Sequence, residues 1–461
     1  MTRYTLALVL IAGMASAAAP RSQQQQPPAQ PPAGQGDQTV KITVDTLGRL
    51  PKLAIAPFVA LSQDAETVAA ARTIGDVLFD DIDYEHEYYL IRKDAIATMP
   101  RPSSVDDVGL DRWKELNADV LVVGSVRKEA AGVVVQVKLI QVSTGRMAFG
   151  KEYSGSVANP RRYAHTISDE IHKQQVGLDG VARTRLTFSS DRDRERAKSA
   201  VANRDVQEIY IADYDGANAR RVTNTTTLNI TPVWSPDNQT IAYTSFRPSG
   251  QFGVFRDIVF SFITTGDRKT PAEGSPSKQN ELPMFSPDGS KVAFTSYRDG
   301  NPEIYVMNRD GSALRRMTNN PAIDTTPTWS PSGNQIAWVS DRTGNPHIYV
   351  MNVDGTGQRQ LIGEICDRPT WASGQFNEIA YAARTGPGYD IKLYDVSKGE
   401  ATRLTDGIGS NESPAFSPNG RHIAFTSTRN GKIQVFTVDR TGEHLRQITR
   451  EGNNKFPNWS R

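Results

Sequence analysis

The sequence predicts an α/β N-terminal domain followed by an all-β six-bladed β-propeller. Three observations predict it: a repeat of about 45 residues past Thr184, mixed strand and helix signals ahead of it, and abundant glycine and proline without collagen periodicity. The repeat reads P-x-W/F-S-P, then I-A-F/Y/W-x-S, a charged turn, I-Y-V-x-x-x-D-G and a short strand ending in L/I/M/V-T. Anchored on its aromatic, the copies fall at Trp234, Phe285, Trp329, Trp371, Phe416 and Trp459, spaced by 51, 44, 42, 45 and 43 residues. Four segments per copy match the four strands of a WD40-like (PD40) propeller blade.

The repeat also predicts how the ring closes. The first unit has its second, third and fourth strands at residues 184–188, 208–212 and 220–223 but no inner strand before them, whereas the last unit is an inner strand alone, at residues 456–460. The last strand is therefore expected to complete the first blade and remove the exposed sheet edges. Pro-x-Gly at 287–289, 331–333 and 418–420 supplies tight turns, and the Asp-Gly pairs at 215–216, 310–311 and 354–355 supply outer hairpins.

From the N-terminus, Arg3, an apolar run at residues 6–14 and small residues from Ala15 to Ala19 have the order of a secretory signal peptide, assigned to residues 1–18. Cleavage after Ala17 or Ala18 fits better than after Ala19, which Pro20 follows. The apolar run falls short of the ~20 residues that span a bilayer. Residues 19–38 are Gln, Pro and Gly with almost nothing apolar, so they form a disordered leader.

The α/β domain is assigned to residues 39–175 and the propeller to residues 180–461. Val40, Ile42 and Val44 alternate with Lys41, Thr43 and Asp45, a strand with one apolar face that needs a partner edge. A short strand follows at residues 52–58, and Val68, Ala71, Ile74, Val77, Leu78 and Ile82 carry helical spacing across residues 67–82. Further on, the pattern predicts a strand at 88–92, a helix at 108–117 with Trp113 and Leu116, and a buried strand at 120–126. A hairpin at 133–153 turning at Ser143 to Arg146 and an amphipathic helix at 160–175 close the domain.

Composition excludes several function classes. With 53 basic and 51 acidic side chains, no net field recruits nucleic acid. No glycine-rich phosphate loop joins a strand to a helix, and no G-x-S-x-G nucleophile elbow occurs. The histidines at 86, 165, 172, 347, 422 and 444 show neither H-x-x-x-H nor H-E-x-x-H spacing, so a zinc site is not expected; His165 and His172 read as a packing or surface pair on one helix face. Among the D-x-D-G turns only Asp213 to Gly216 resembles a calcium loop, without a distal glutamate, and a hairpin explains it. The lone Cys366 precedes a strand and reads as a small buried residue. Residues 192–198 alternate bases and acids, as a solvated loop does.

Four segments resemble the TolB family of the Tol-Pal envelope system: Ala118 to Gly124, Arg162 to Glu170, Gly180 to Arg185 at the domain join, and Lys455 to Ser460 at the end. The resemblance implies a periplasmic, non-catalytic interaction hub without a cofactor, a monomer that binds the peptidoglycan-associated lipoprotein Pal through one propeller mouth. It also implies engagement of TolA through a strand matching Val40, Ile42 and Val44, although here a Gln/Pro-rich leader precedes that strand. The positions matching the Pal surface are Gln279, where better-known relatives carry histidine, Leu282 and Thr325, with Glu281 beside them. Without the family, the same loops carry Ile230, Glu281, Asp324, Asp367, Glu412 and Lys455, expected to converge on one mouth. The alternative is a secreted propeller enzyme acting on polysaccharide, with an acid/base carboxylate pair in its central funnel.

Overall fold

The computed structural model describes residues 49–130, 132–195, 205–250, 253–374 and 376–461. The expected signal peptide, the leader, the strand of Val40, Ile42 and Val44, and part of the charged loop at 192–198 lie outside these residues. No helix among the described residues is long and apolar enough to cross a membrane.

The N-terminal region is built on a mixed sheet of β1 (Lys52–Ile55), β2 (Val59–Ala60), β3 (Tyr89–Leu90), β4 (Val120–Glu129), β5 (Gly132–Gln141) and β6 (Met147–Gly155), in the order β3-β1-β4-β5-β6 with β2 beside β4. β1 runs parallel to β3 and β4, and β4, β5 and β6 form an antiparallel meander. β1 and the first half of β4 lie buried between helices on both faces, which is why they read as continuous apolar runs and not as alternation.

Helix α1 (Ala65–Glu85) starts where the Asp64 carboxylate accepts from the Thr67 amide at 3.1 Å and ends at His86, in the left-handed conformation. Helix α4 (Pro160–Val176) begins at Asn159 with proline at its first turn and ends at left-handed Gly177. Both pack Ile74, Leu78, Ile167 and Ile171 against Leu53, Val122, Val135 and Val137 of the sheet. On the other face α2 (Lys93–Ala97) and α3 (Leu110–Glu115) bury Ile96 and Trp113 against Leu121 and Val123. α2 was not expected, because a five-residue helix with one buried side chain is too short to write a 3.6-residue period. α3 is shorter than residues 108–117 because Gly109 offers no side-chain cap and Asn117 turns left-handed. Gly124 lets the Phe58 ring lie directly on β4, where a Cβ would collide with it.

Six four-stranded antiparallel sheets follow. Blade one joins Asn454–Trp459, Arg185–Ser190, Glu208–Asp213 and Arg220–Arg221, so the C-terminal strand supplies its inner edge, with Trp459 opposite Leu186. The closure is reinforced where Arg185 N donates to Ser460 Oγ at 2.7 Å and Trp459 Nε1 to Thr184 Oγ1 at 2.5 Å. Blade two (Asn229–Trp234, Thr240–Pro248, Val254–Phe262, Arg268–Lys269) has two nine-residue middle strands, which account for the 51-residue spacing after Trp234. The remaining inner strands are Asn280–Phe285, Asp324–Trp329, Cys366–Trp371 and Asn411–Phe416, of blades three to six. Cys366 is buried, as expected, and burial raises its thiol to about 12.

The α/β region is anchored to the ring through an apolar plug: Tyr84 of α1 packs with Tyr214, Ala424, Val435 and Ile448 of blades one and six. Around it, Asp81 accepts from the Tyr214 hydroxyl at 2.7 Å and meets His165 Nδ1 at 2.8 Å, while Arg161 reaches Asp215 at 2.5 Å. The pair His165 and His172 is therefore part of this junction, with both side chains buried.

Candidate functional site

The inner strands share one design that defines both mouths of the ring. Each reads buried Asn, Asp or Cys, then a polar or apolar residue, then a residue of variable type, then Pro, another residue, and Trp or Phe. The third position lies at φ 51–56° in all six: Thr231, Leu282, Thr326, Arg368, Ser413 and Phe456. There the pairing with the second strand slips, a bulge that leaves proline, without an N–H, off the ladder. These third residues and the six prolines after them line a central cavity of about 90 Å³.

The strands enter the ring at one opening, the leading mouth, and leave at the other, the trailing mouth. At the trailing mouth Gly289, Gly333 and Gly420 adopt φ 72° in the Pro-x-Gly turns, a conformation costly for residues with a Cβ. Hydrogen bonds from Ser286 and Ser290 hold the Asp288 carboxyl down to about 2, fixing one of these turns. A cleft of about 830 Å³ there is walled on one side by Pro287, Pro331 and Pro418 and on the other by Asp169 of α4 and by Asp179 and Arg183 of the join that follows it.

The leading mouth carries the sequence-predicted residues. Gln279, Glu281, Leu282 and Thr325 are all half-buried there. Gln279 and Glu281 are not free: Arg256 Nε donates to Gln279 Oε1 at 3.0 Å, and Arg256 Nη1 to Glu281 Oε2 at 2.6 Å. The Tyr297 hydroxyl donates to the other Glu281 oxygen at 2.8 Å while Arg256 stacks over its ring at 4.5 Å. Leu282 donates its amide to Thr244 Oγ1 at 3.0 Å, and its side chain lines the funnel. Thr325 Oγ1 lies 3.2 Å from Thr295 Oγ1.

One residue expected at this surface is elsewhere. Asp324 is fully buried, accepting from Trp338 Nε1 at 3.0 Å and paired with Arg342 at 3.0 Å. It is the first residue of its strand, equivalent to Asn229, Asn280, Asn411 and Asn454, all buried; the surface residue of blade four is Thr325. Ile230, Glu281, Asp367, Glu412 and Lys455 do occupy equivalent second positions. Sequence reasoning missed Arg256 and Tyr297, which clamp the predicted pair, and Arg368, stacked 4.5 Å over Phe456 across the funnel. It also missed Ile323 and Ile408, which are 49% and 56% exposed in the loops leading into their inner strands. The surplus length of blade two was the signal for Arg256, since that extension carries it opposite Phe246.

Each carboxylate of the mouth has a local partner: Glu281 has Arg256 and Tyr297, Asp367 lies 3.7 Å from Arg368, and Glu412 accepts from Ser410 at 2.6 Å. The central cavity is far smaller than the ~300 Å³ at which ligand pockets begin.

Residues 173–461 match the family described as the TolB beta propeller domain, and residues 38–148 the TolB amino-terminal domain. The Tol-Pal system protein TolB of Desulfosudis oleivorans (strain DSM 6200 / JCM 39069 / Hxd3) is 31% identical over 283 residues, 61% of this chain and 60% of that protein. That of Anaeromyxobacter sp. (strain K) is 31% identical over 270 residues, 58% of this chain and 56% of that protein. The chain thus spans less than two thirds of these relatives. The crystal structure of TolB from Acinetobacter baumannii superposes with a TM-score of 0.74 over 89% of this chain and 97% of that one; at 24% identity the likeness is one of fold.

Proposed function

The chain belongs to the TolB family, and from that premise we propose that it is a non-catalytic interaction hub of the Tol-Pal system in the periplasm. In this role it binds the peptidoglycan-associated lipoprotein Pal at the leading mouth, through Gln279, Glu281, Leu282 and Thr325, and supports outer-membrane integrity and envelope constriction during division. The observation that carries the placement is the difference between the mouths: the α/β region walls the trailing one, whereas the leading one presents side chains that change from blade to blade. A rim of half-buried apolar groups with clamped charges is the composition of a protein-binding patch, apolar at its centre and polar at its edge. TolA is the second proposed partner, taking the strand of Val40, Ile42 and Val44 by β-augmentation. Cleavage of polysaccharide fits less well, because the mouth carboxylates are paired off and the funnel is narrow.

The test is calorimetry of the mature protein against the soluble domain of Pal from the same organism. Saturable binding that weakens about a hundredfold or more in both Leu282→Arg and Thr325→Arg is the expected outcome. Binding of unchanged strength in the two folded variants would remove Pal from this mouth.

A further inference from the structure

Five of the six histidines gather where the α/β region meets blades one and six, and two of them face each other across that seam. His86 ends α1 at φ 53°, and His444 lies in the outer hairpin of blade six at φ 56°. His86 takes the left-handed conformation of a helix cap, and His444 the left-handed hairpin position that Asn218 and Ala313 occupy in blades one and three, so the repeat and the cap fix where the two rings stand. The imidazoles lie nearly parallel, centroids 3.4 Å apart and planes 19° from each other. Aromatic pairs prefer offset or edge-on contact to close stacking, so the rings gain little from each other alone.

Asp439 completes the group. Its Oδ2 meets His444 Nδ1 at 2.7 Å, and its Oδ1 meets His422 Nδ1 at 3.0 Å. One ligand atom from each of His86, Asp439 and His444 lies within 4.8 Å of the others. These are two imidazoles and a carboxylate on two separate regions of the fold, at a seam otherwise held by Tyr84 and buried ion pairs. We propose that His86, His444 and Asp439 hold a divalent transition-metal ion of the zinc class, which staples the α/β region to blade six.

The donor set selects the ion: imidazole favours zinc, copper and nickel, whereas calcium and magnesium call for all-oxygen sites. Zinc binds nitrogen at about 2.0–2.1 Å, so two ligand nitrogens on one tetrahedral ion lie about 3.3 Å apart and must point at a common centre. The parallel rings reach that geometry when His444 turns about its side-chain bonds, for which its 44% exposure leaves room. Asp439, whose Oδ2 now meets His444 Nδ1, serves as the third ligand once that ring turns. Water fills the remaining position.

The experiment titrates zinc chloride into the chelator-treated mature protein by calorimetry, beside His86→Asn, His444→Asn and His347→Ala. Asparagine tolerates left-handed backbone, so the first two remove the imidazole with little strain, and circular dichroism confirms that each variant is folded. The expected result is one equivalent of zinc bound, at least tenfold weaker in either asparagine variant and unchanged in His347→Ala, with zinc raising the melting temperature of the unaltered protein and of His347→Ala alike, and less in either asparagine variant. Absence of stoichiometric binding overturns the site. So does binding that survives in the His86→Asn, His444→Asn double variant or is lost in His347→Ala.

Discussion

The two mouths of the ring are the two ends of the same six strands, yet they obey different rules. At the trailing mouth the turn is largely shared: Pro-x-Gly recurs in blades three, four and six, blade two keeps it with left-handed Asn238 in place of glycine, Asp288 is locked by its neighbours, and the α/β region walls the opening. At the leading mouth it holds only where the backbone needs it, at the buried first residue and the fourth-position proline, and drifts at the second and third positions. Ile230, Glu281, Thr325, Asp367, Glu412 and Lys455 supply one apolar side chain, one hydroxyl, three carboxylates and one ammonium. Within a repeat architecture, uniform positions build the scaffold, and the positions that escape uniformity are where a specific partner is read.

This comparison can be broken from its structural side first. Removing residues 456–461 deprives blade one of its inner edge and is expected to lower the melting temperature by about 10 °C or more, with loss of a single cooperative transition. A near-normal melt would mean that the ring does not depend on that strand. Tyr84→Ala empties the plug at the junction and is expected to cost about 3 kcal/mol in denaturant unfolding, while leaving the leading mouth and Pal binding intact. Coupled loss of both would show that the trailing side controls the leading one.

At the leading mouth, Leu282→Arg places a second guanidinium beside Arg368 in the funnel and is expected to weaken Pal binding about a hundredfold, roughly 2.7 kcal/mol. A smaller effect is expected from pH at the junction. Burial disfavours the charged His165 ring, but the hydrogen bond and charge of Asp81 outweigh it and raise its pKa above the ordinary 6.5. A raised folded pKa gives stability that is full below 6.5 and lost as pH climbs through the folded value. The melting temperature should therefore fall as pH rises above 6.5 more in the unaltered protein than in His165→Gln; equal slopes would show that the ring does not titrate there. The smallest effect is expected from Arg256→Ala, which frees Gln279 and Glu281 and should weaken Pal binding about threefold, chiefly by loosening groups held ready for contact.

Much of the architecture was written locally. Six aromatics at near-constant spacing locate every inner strand, and the missing inner strand of the first unit predicts the closure by Trp459. What was not legible depends on distant contacts. Asp324 looks like a surface acid until Trp338 and Arg342 are seen to bury it. Arg256 lies in blade two but acts on blade three, so no pattern within one repeat reveals it. The histidines carry no motif spacing because their meeting spans the whole fold, as Glu85 and His422, 337 residues apart, illustrate. The left-handed third position was hidden by its varied residue types and by the proline after it, which ordinarily sets its predecessor to extended backbone.

The most direct test of the leading mouth as the partner face is amide hydrogen exchange on the protein with and without the soluble domain of Pal. The expected result is new protection in residues 279–284 and 323–326, with none at the Pro-x-Gly turns 287–289, 331–333 and 418–420. Protection confined to those turns would place the partner at the trailing mouth and contradict the assignment.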